Sequence, residues 1–555
     1  MFLSECETCA VIWYLTRLSI SAVLAVRALF LVSSVFAQQA ERQRGAKTDP
    51  LLSALDRNSD GELSAEELKN APAAIRRLDK NGDGRITRDE FNPDRSRGGR
   101  LSRSRRPGGS KLGGYEVPPP ANNVPDHLHD IILGRPTNDS ITACVLAYDD
   151  LEGYLAYGIR SGQYSSKSDL TTFAKDEPVD VVLQSLEADT RYYYRLNCRK
   201  PEAKVFEHSD EFQFHTQRAT GSPFTFTVQS DSHLDENTSG EVYTRTLTNA
   251  LRDSPDFHFA LGDTFMTGKY VRPELSHGQY LAQRYYFGQL CHSSPLFFAL
   301  GNHDGESGNR GSNLWATQTR KRYLPNPFPN GFYSGNEREE RSVGFPENYF
   351  AWEWGNSQFI VLDPFRHTTS RSRSGDNWYR TLGKDQYQWL KATLERSSAS
   401  FRFVFLHHLI GGADRNSRGG IEAVPYFEWG GKSLGGTDDF DRQRPGWGKP
   451  IHSLLVEHDV TIVFHGHDHM YVKQDLDGIV YQLVPQPGHP RFGNTRSARE
   501  YGYVNGVVLS SSGHLRVRVA HDSVRVDYVR AYLPRSESSD RKNGDVSHSY
   551  LIKGK

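Results

Sequence analysis

Residues 461–472, TIVFHGHDHMYV, place His465, His467 and His469 at alternate positions with Gly466 and Asp468 between them. Imidazoles so spaced can bind a metal, act as bases or cap a turn, and the segment alone leaves those roles open. Four other apolar runs end in residues of the same kind. QSDSH supplies Asp231 and His233, ALGDTF supplies Asp263, ALGNHD supplies Asn302, His303 and Asp304, and FLHH supplies His407 and His408. One such ending is ordinary capping. Five in one stretch are not explained by packing, which gains nothing from imidazole and carboxylate groups. Imidazole, carboxylate and amide oxygen without thiolate suit manganese, iron or zinc.

The segments that must position these residues alternate strand-like runs (FTFTVQ, DFHFAL, PLFFAL, SQFIVL, FRFVF, VTIVF) with helical ones (EVYTRTLTNALRD, KDQYQWLKATLERS). That alternation predicts a layered α/β domain over 222–534 with its chemistry at strand ends. Near its end, the run VVLSSSGHLRVRVAHDSVRVDYVRAYL is expected to complete a second sheet, and the polar residues 535–555 read as a disordered tail. Upstream, residues 124–217 carry short alternating strands separated by turn residues and predict a β-sandwich. Within it, LEADTRYYYRL, with Leu186, Thr190 and Tyr192, resembles a corner of a fibronectin type III domain. Cys144 and Cys198 could lie on facing sheets of the sandwich and pair in an oxidising compartment.

The order D-x-H, G-D, G-N-H-D, H, G-H-x-H resembles that of the calcineurin-like metallophosphoesterases, over a span from about Phe224 to Val472. The resemblance implies an α/β/β/α double-sheet domain holding two divalent or trivalent transition metals (Mn, Fe or Zn). It assigns Asp231, His233 and His469 to one metal, Asn302, His407 and His467 to the other, and Asp263 to both. It implies that a hydroxide between the metals attacks a phosphate monoester or diester, with His303 assisting the leaving group and Asp304 orienting His303. A metal pair about 3.5–4 Å apart suits an in-line displacement of this kind. A sandwich before the domain resembles the layout of purple acid phosphatases. Their pattern has Gly at the position of His233 and Tyr at that of Met266, so a tyrosinate–iron site is not expected. His408 and His465 are assigned no ligand role, Asp468 reads as a spacer, and Tyr270, Trp378, His292 and the insert after Arg366 and His367 are candidates to line the pocket. The alternative function is a calcium-dependent surface-binding or adhesion protein on an inactive scaffold, against which the intact ligand set argues.

Two loops near the start, DRNSDGELSAEE and DKNGDGRITRDE, fit the calcium-loop spacing of oxygen ligands at positions 1, 3, 5, 7, 9 and 12 with glycine at 6. The first supplies Asp56, Asn58, Asp60, Glu62, Ser64 and Glu67, and the second Asp79, Asn81, Asp83, Arg85, Thr87 and Glu90, with Glu62 and Arg85 contributing backbone carbonyls. Residues 51–93 thus resemble an EF-hand pair binding Ca2+, a dockerin-like module being the alternative. The short segment between the loops points to a static calcium-stapled unit rather than an opening sensor. Residues 94–123, rich in Arg, Gly, Ser and Pro, read as a disordered basic linker, with contact to an anionic cell surface as a secondary role. Residues 1–37 carry an apolar run after Arg17 and small residues before Gln38, the pattern of a signal peptide; a membrane anchor is the alternative, disfavoured by Arg27 in the run. A secreted or periplasmic protein is therefore expected, with no transmembrane segment after cleavage. Across 555 residues, 67 basic side chains balance 67 acidic ones, which gives no general ground for a nucleic-acid partner. The expected partner is a small phosphate ester.

Overall fold

Strands with an aromatic residue at every second position have one face that must be buried against another layer. The computed structural model of the chain describes residues 64, 124–308, 310–369, 376–490 and 495–554. The chain divides into two units, Met1–Pro107 and Gly108–Lys555. The expected signal peptide, calcium loops and basic linker lie outside the described residues, Ser64 excepted.

In the second unit the first strands are β1 (His129–Gly134), β2 (Ile141–Ala147), β3 (Leu151–Gly158), β4 (Ser166–Lys167), β5 (Thr171–Phe173), β6 (Val179–Leu183), β7 (Arg191–Arg199), β8 (Glu207–His208) and β9 (Phe212–His215). β1, β2 and β6 form one antiparallel sheet; β3 and β7, with β4, β5, β8 and β9 beside them, form the other. The two close over Ile131, Ala143, Val145, Leu155, Tyr194 and Phe214. The Tyr192 hydroxyl accepts the Glu187 N–H at 2.9 Å, which ties the turn before β7 as in immunoglobulin-like corners. The expected Cys144–Cys198 pairing is absent: Cys144, Cys198 and Cys291 are all free and buried. Alternation along β2 sends Ala143 and Val145 into the sandwich core and Leu146 to the opposite face, where Cys144 also points, while Cys198 sits inside the sandwich.

Beyond residue 222 lie two larger sheets. One contains β10 (Phe224–Gln229), β11 (Phe257–Ala260), β12 (Leu296–Phe298), β21 (Gly513–Val519), β22 (Ser523–Arg530) and β23 (Val546–Lys553), in the order β12-β11-β10-β21-β22-β23. The other contains β13 (Ser334–Gly335), β14 (Phe350–Trp354), β15 (Ser357–Val361), β16 (Phe401–Phe405), β17 (Ile462–His465), β18 (Tyr471–Leu476), β19 (Ile479–Leu483) and β20 (Val507–Leu509), in the order β13-β14-β15-β16-β17-β19-β18-β20. β10 to β12 run parallel, as do β15, β16, β17 and β19. Between the sheets Phe259 stacks on Phe405 with centroids 3.8 Å apart, and Phe405 on Phe464 at 5.0 Å. Helices α1 (Gly240–Arg252) and α2 (His277–Cys291) cover the outer face of the first sheet through Tyr243, Leu247, Phe287 and Leu290. On the second sheet, α4 (Lys384–Arg396) and α5 (Ile451–Glu457) do the same through Tyr387, Leu390 and Leu454, α3 (Asn313–Tyr323) lying between them in sequence and the earlier pair. The result is the four-layered α/β/β/α arrangement.

Several contacts join the sandwich to this domain. Arg284 of α2 is fully buried and donates to the carbonyls of Asp130 and Cys144 in the sandwich and Tyr323 at the end of α3, at 3.1, 2.9 and 2.9 Å. Tyr194 donates its hydroxyl to the His292 carbonyl at 2.6 Å.

The expected disordered tail is corrected in part. Residues 546–553 form β23, paired antiparallel with β22, and Tyr550 and Ile552 pack onto the core between the sheets. As an edge strand it needs apolar residues on one face only, so its composition resembles that of a tail. Among the described residues no helix is long and apolar enough to cross a membrane.

Phe259→Ala is expected to cost about 3–5 kcal/mol, because the ring is fully buried between the sheets. Denaturant unfolding would register it as a lower midpoint at unchanged slope. A loss under about 1 kcal/mol would mean that the sheets close without this ring.

Candidate metal centre

Each parallel strand ends at the same edge of the double sheet. β10 runs into Asp231 and His233, β11 into Asp263, β12 into Asn302, β16 into His407, and β17 into His467 and His469. Asp231 Oδ1 lies 3.3 Å from His469 Nε2 and 3.7 Å from His233 Nε2. Asp263 Oδ2 lies 3.3 Å from His407 Nε2 and 3.8 Å from His233 Nε2, between the two groups. His407 Nε2 is also 3.1 Å from Asn302 Oδ1 and 3.2 Å from His467 Nδ1. The donor atoms of Asp231, His233 and His469 lie within 4.8 Å of one another, as do those of Asp263, His407 and His467. The structure therefore brings the seven residues assigned to the two transition metals to one place.

Does a cation fit there? Asp231 Oδ1 and His233 Nε2 are buried and have no hydrogen-bond partner among the described residues. A buried carboxylate oxygen left unpaired costs several kcal/mol, so converging lone pairs of this kind need a cation. Outer contacts aim the same nitrogens inward. His233 Nδ1 sits 3.2 Å from Asp235 Oδ2, His407 Nδ1 donates to the Leu261 carbonyl at 2.7 Å, and His467 Nε2 donates to the Asn416 carbonyl at 2.7 Å. Each ring thereby keeps its other nitrogen as a ligand.

Residues 224–471 match the family model of calcineurin-like phosphoesterases, and residues 49–71 and 73–92 match that of EF hands. Residues 224–471 form a calcineurin-like phosphoesterase domain. Among solved structures, PhoD aligns with TM-score 0.55 at 15% identity, over 77% of this chain and 90% of PhoD. A purple acid phosphatase from yellow lupin seeds aligns with TM-score 0.50 at 16% identity, over 77% of this chain and 74% of that one. Both show the shared fold. No curated protein matches the sequence. Phosphoesterase domains of this family hold divalent metals, which agrees with the donor set above.

The phosphoesterase domain holds its ligands on strained backbone. Asp231, His233, Asp263, His467 and His469 have φ of 59°, 51°, 50°, 82° and 58°, in the left-handed region. Such positions cost about 1–3 kcal/mol each and cluster at functional sites. Close approach of the two sheets at this edge also requires Gly466: a Cβ there would lie 1.8 Å from Ser230 Oγ and 2.7 Å from Asp231 Oδ2.

Two acids differ from their expected roles. Asp304 does not orient His303. Its carboxylate accepts the backbone N–H groups of Asp263, Thr264, Phe265 and Gly301 at 3.0, 2.8, 2.9 and 2.6 Å, while His303 Nδ1 has no hydrogen-bond partner. Asp304 is thus a positioning residue for the loop that carries Asp263. Asp468 is more than a spacer. It accepts the Tyr503 hydroxyl at 2.7 Å and the Gly419 N–H at 3.1 Å, tying the histidine turn to the loop around Asn416.

His303 stands beside Asp263, its Nε2 3.7 Å from Asp263 Oδ2 and its backbone N–H donating to Asp263 Oδ1 at 2.7 Å. Burial pushes its imidazole down to about 4 against the opposing pull of Asp263. His408 packs edge-on against Phe365 and near His467, and its Nδ1 bonds the Leu409 carbonyl. His465 is buried in β17. Of the suggested pocket residues, Trp378 bonds Ser433, His292 stacks on Phe212 of the sandwich, and Arg366 pairs with Glu340; these three, Tyr270 and His367 are not among the described residues that line the cleft at the centre, whereas Thr368 of the insert is. That cleft is lined instead by residues including Arg310, Tyr379, Arg380, Asn416 and Arg418, which carry no periodic signal in the sequence.

Gly466→Ala is expected to weaken manganese binding by at least about tenfold, as loss of ligand support does elsewhere. Calorimetric titration alongside far-UV circular dichroism would separate this effect from unfolding. Unchanged affinity would show that the turn tolerates the added carbon.

Proposed function

We propose that this domain hydrolyses phosphate monoesters or diesters with two transition metals, in a protein exported by residues 1–37 and carrying calcium in its EF-hand region. The observation that carries the reading is the place of Asp263: its Oδ2 stands between the two buried donor clusters, 3.3 Å from one imidazole and 3.8 Å from another. Asp231, His233 and His469 would hold one metal, Asn302, His407 and His467 the other, and Asp263 would touch both. When bound, such a pair neutralises a phosphoryl group and acidifies water as a nucleophile.

The chain's own residues then supply orientation and hydrogen bonds. Asp304 fixes the Asp263 turn through four amides, so the shared carboxylate does not have to reorganise. His303 lines the cleft and is neutral at pH 7 because of its burial. It acts by donating an imidazole N–H to the oxygen where charge develops. Asn302 and His467 border the cleft from the second cluster and set the direction in which the ester extends.

Manganese-loaded protein is expected to turn over p-nitrophenyl phosphate or its bis ester. Asp263→Asn should lose both metals and turnover, whereas His303→Ala should keep two metals per chain and lose about 10²–10³ in kcat. Metal analysis and steady-state rates read the two effects separately. Absence of turnover of either ester by metal-loaded protein would refute the reading.

A further inference from the structure

The cleft beside the metal centre has a volume of about 430 Å³, and its wall contains Arg310, Arg380 and Arg418 together with His303 and His467. No carboxylate is among the described residues that line it. Three guanidinium groups on one cleft repel each other, and a low-dielectric wall strengthens that repulsion.

They come from three separate loops, and each is held near the reacting end. Arg310 Nη1 donates to the Gly268 carbonyl at 2.9 Å, and the Gly268 N–H donates to the His303 carbonyl at 2.7 Å. Arg380 Nη1 lies 3.5 Å from His408 Nε2, and the His408 ring stands 5.3 Å from that of His467. Arg418 lies over the Tyr501 ring at 3.9 Å, with its Nε 3.8 Å from Asp468 Oδ1. Stacking and tethering pre-organise a planar fork, so less freedom is lost when it grips an anion.

One phosphoryl group already meets two metals and His303 in the proposed reaction, so the three guanidinium groups of the wall face the part of the substrate beyond that group. The wall includes Asn302 and His467 but not Asp231, His233 or His469, so the cleft extends from the second donor cluster only. Its volume is that of a small-molecule site rather than a polymer groove. On the phosphoesterase reading, on which this inference rests, we propose that the substrate is a small phosphate ester whose alcohol portion carries a second anionic group, phosphate or carboxylate, seated on Arg380 and Arg418 with Arg310 at the rim.

Paired substrates test this on the metal-loaded full chain. Fructose 1,6-bisphosphate against fructose 1-phosphate and fructose 6-phosphate reads a second phosphate; 3-phosphoglycerate against glycerol 3-phosphate reads a carboxylate. In at least one comparison kcat/KM is expected to be about tenfold higher for the doubly anionic member. Arg380→Ala and Arg418→Ala should each reduce that preference by at least about fivefold, through KM, and Arg380→Lys should restore part of it. Hydrolysis of the singly anionic esters with ratios within about twofold of one in both comparisons would overturn the inference and leave the phosphoesterase reading standing. Hydrolysis of none of these esters would overturn the inference, and the phosphoesterase reading falls with it only if p-nitrophenyl phosphate and its bis ester are not turned over either.

Discussion

The stack of Phe259 on Phe405 sets how close the two sheets come, and the metal centre inherits its dimensions from that distance. Asp263 leaves the strand that carries Phe259, and His407 leaves the strand that carries Phe405, two residues after the ring. With centroids 3.8 Å apart, the rings leave no slack between the strands. Phe464 continues the stack into β17 and so fixes the base of the histidine turn. Ligands held to within about 0.5 Å must be carried by rigid elements. Here the rigidity is aromatic, and it begins only a few residues from the donor atoms.

What the core supplies in order, the site takes up in unfavourable local states. Five ligand positions lie at positive φ, and two carboxylates are buried among imidazoles. Neither would persist in a loop free to relax. Asp304 shows how the cost is contained: by accepting four amides it makes the Asp263 turn and the Gly301 turn one unit. Asp468 does the corresponding work on the other sheet, through Tyr503 and Gly419. Asp304 therefore acts on backbone and Asp468 on an amide and a tyrosine, while His407 and His467 are steered by the carbonyls of Leu261 and Asn416 and His233 by Asp235.

The convergence of the candidate ligands was legible in the sequence because parallel strands deliver their final residues to one edge, so a repeated pattern of apolar run, turn and polar residue reads directly as convergence. Other features depend on information the linear order does not carry. Cys144 and Cys198 are both in strands and both buried, but pairing needs the correct face, and β2 presents Cys144 outward. β23 looks polar because an edge strand shows half of its residues to water. Asp304 and Asp468 read in sequence as neighbours of histidines, whereas Asp304 accepts four amides and Asp468 Oδ2 accepts an amide and a tyrosine hydroxyl that approach from elsewhere. The arginines of the cleft sit on irregular loops far apart in the chain, where neither spacing nor periodicity marks them.

The sandwich is part of the same folding problem. Arg284 is a fully buried guanidinium whose described hydrogen bonds go to carbonyls, two of them in the sandwich. A buried charge deprived of those oxygens would cost several kcal/mol. Leu146 and Ile132 of the sandwich also pack among Phe287 and Leu290 of α2. α2 in turn reaches the site, since Gln283 donates to Ser232 Oγ and to the Thr264 carbonyl at 3.0 and 2.9 Å. Those two residues flank Asp231 and Asp263. The helix that carries the metal-bearing turns on one side is therefore braced by the sandwich on the other, so the sandwich acts as a structural wall of the phosphoesterase domain rather than as a separable appendage.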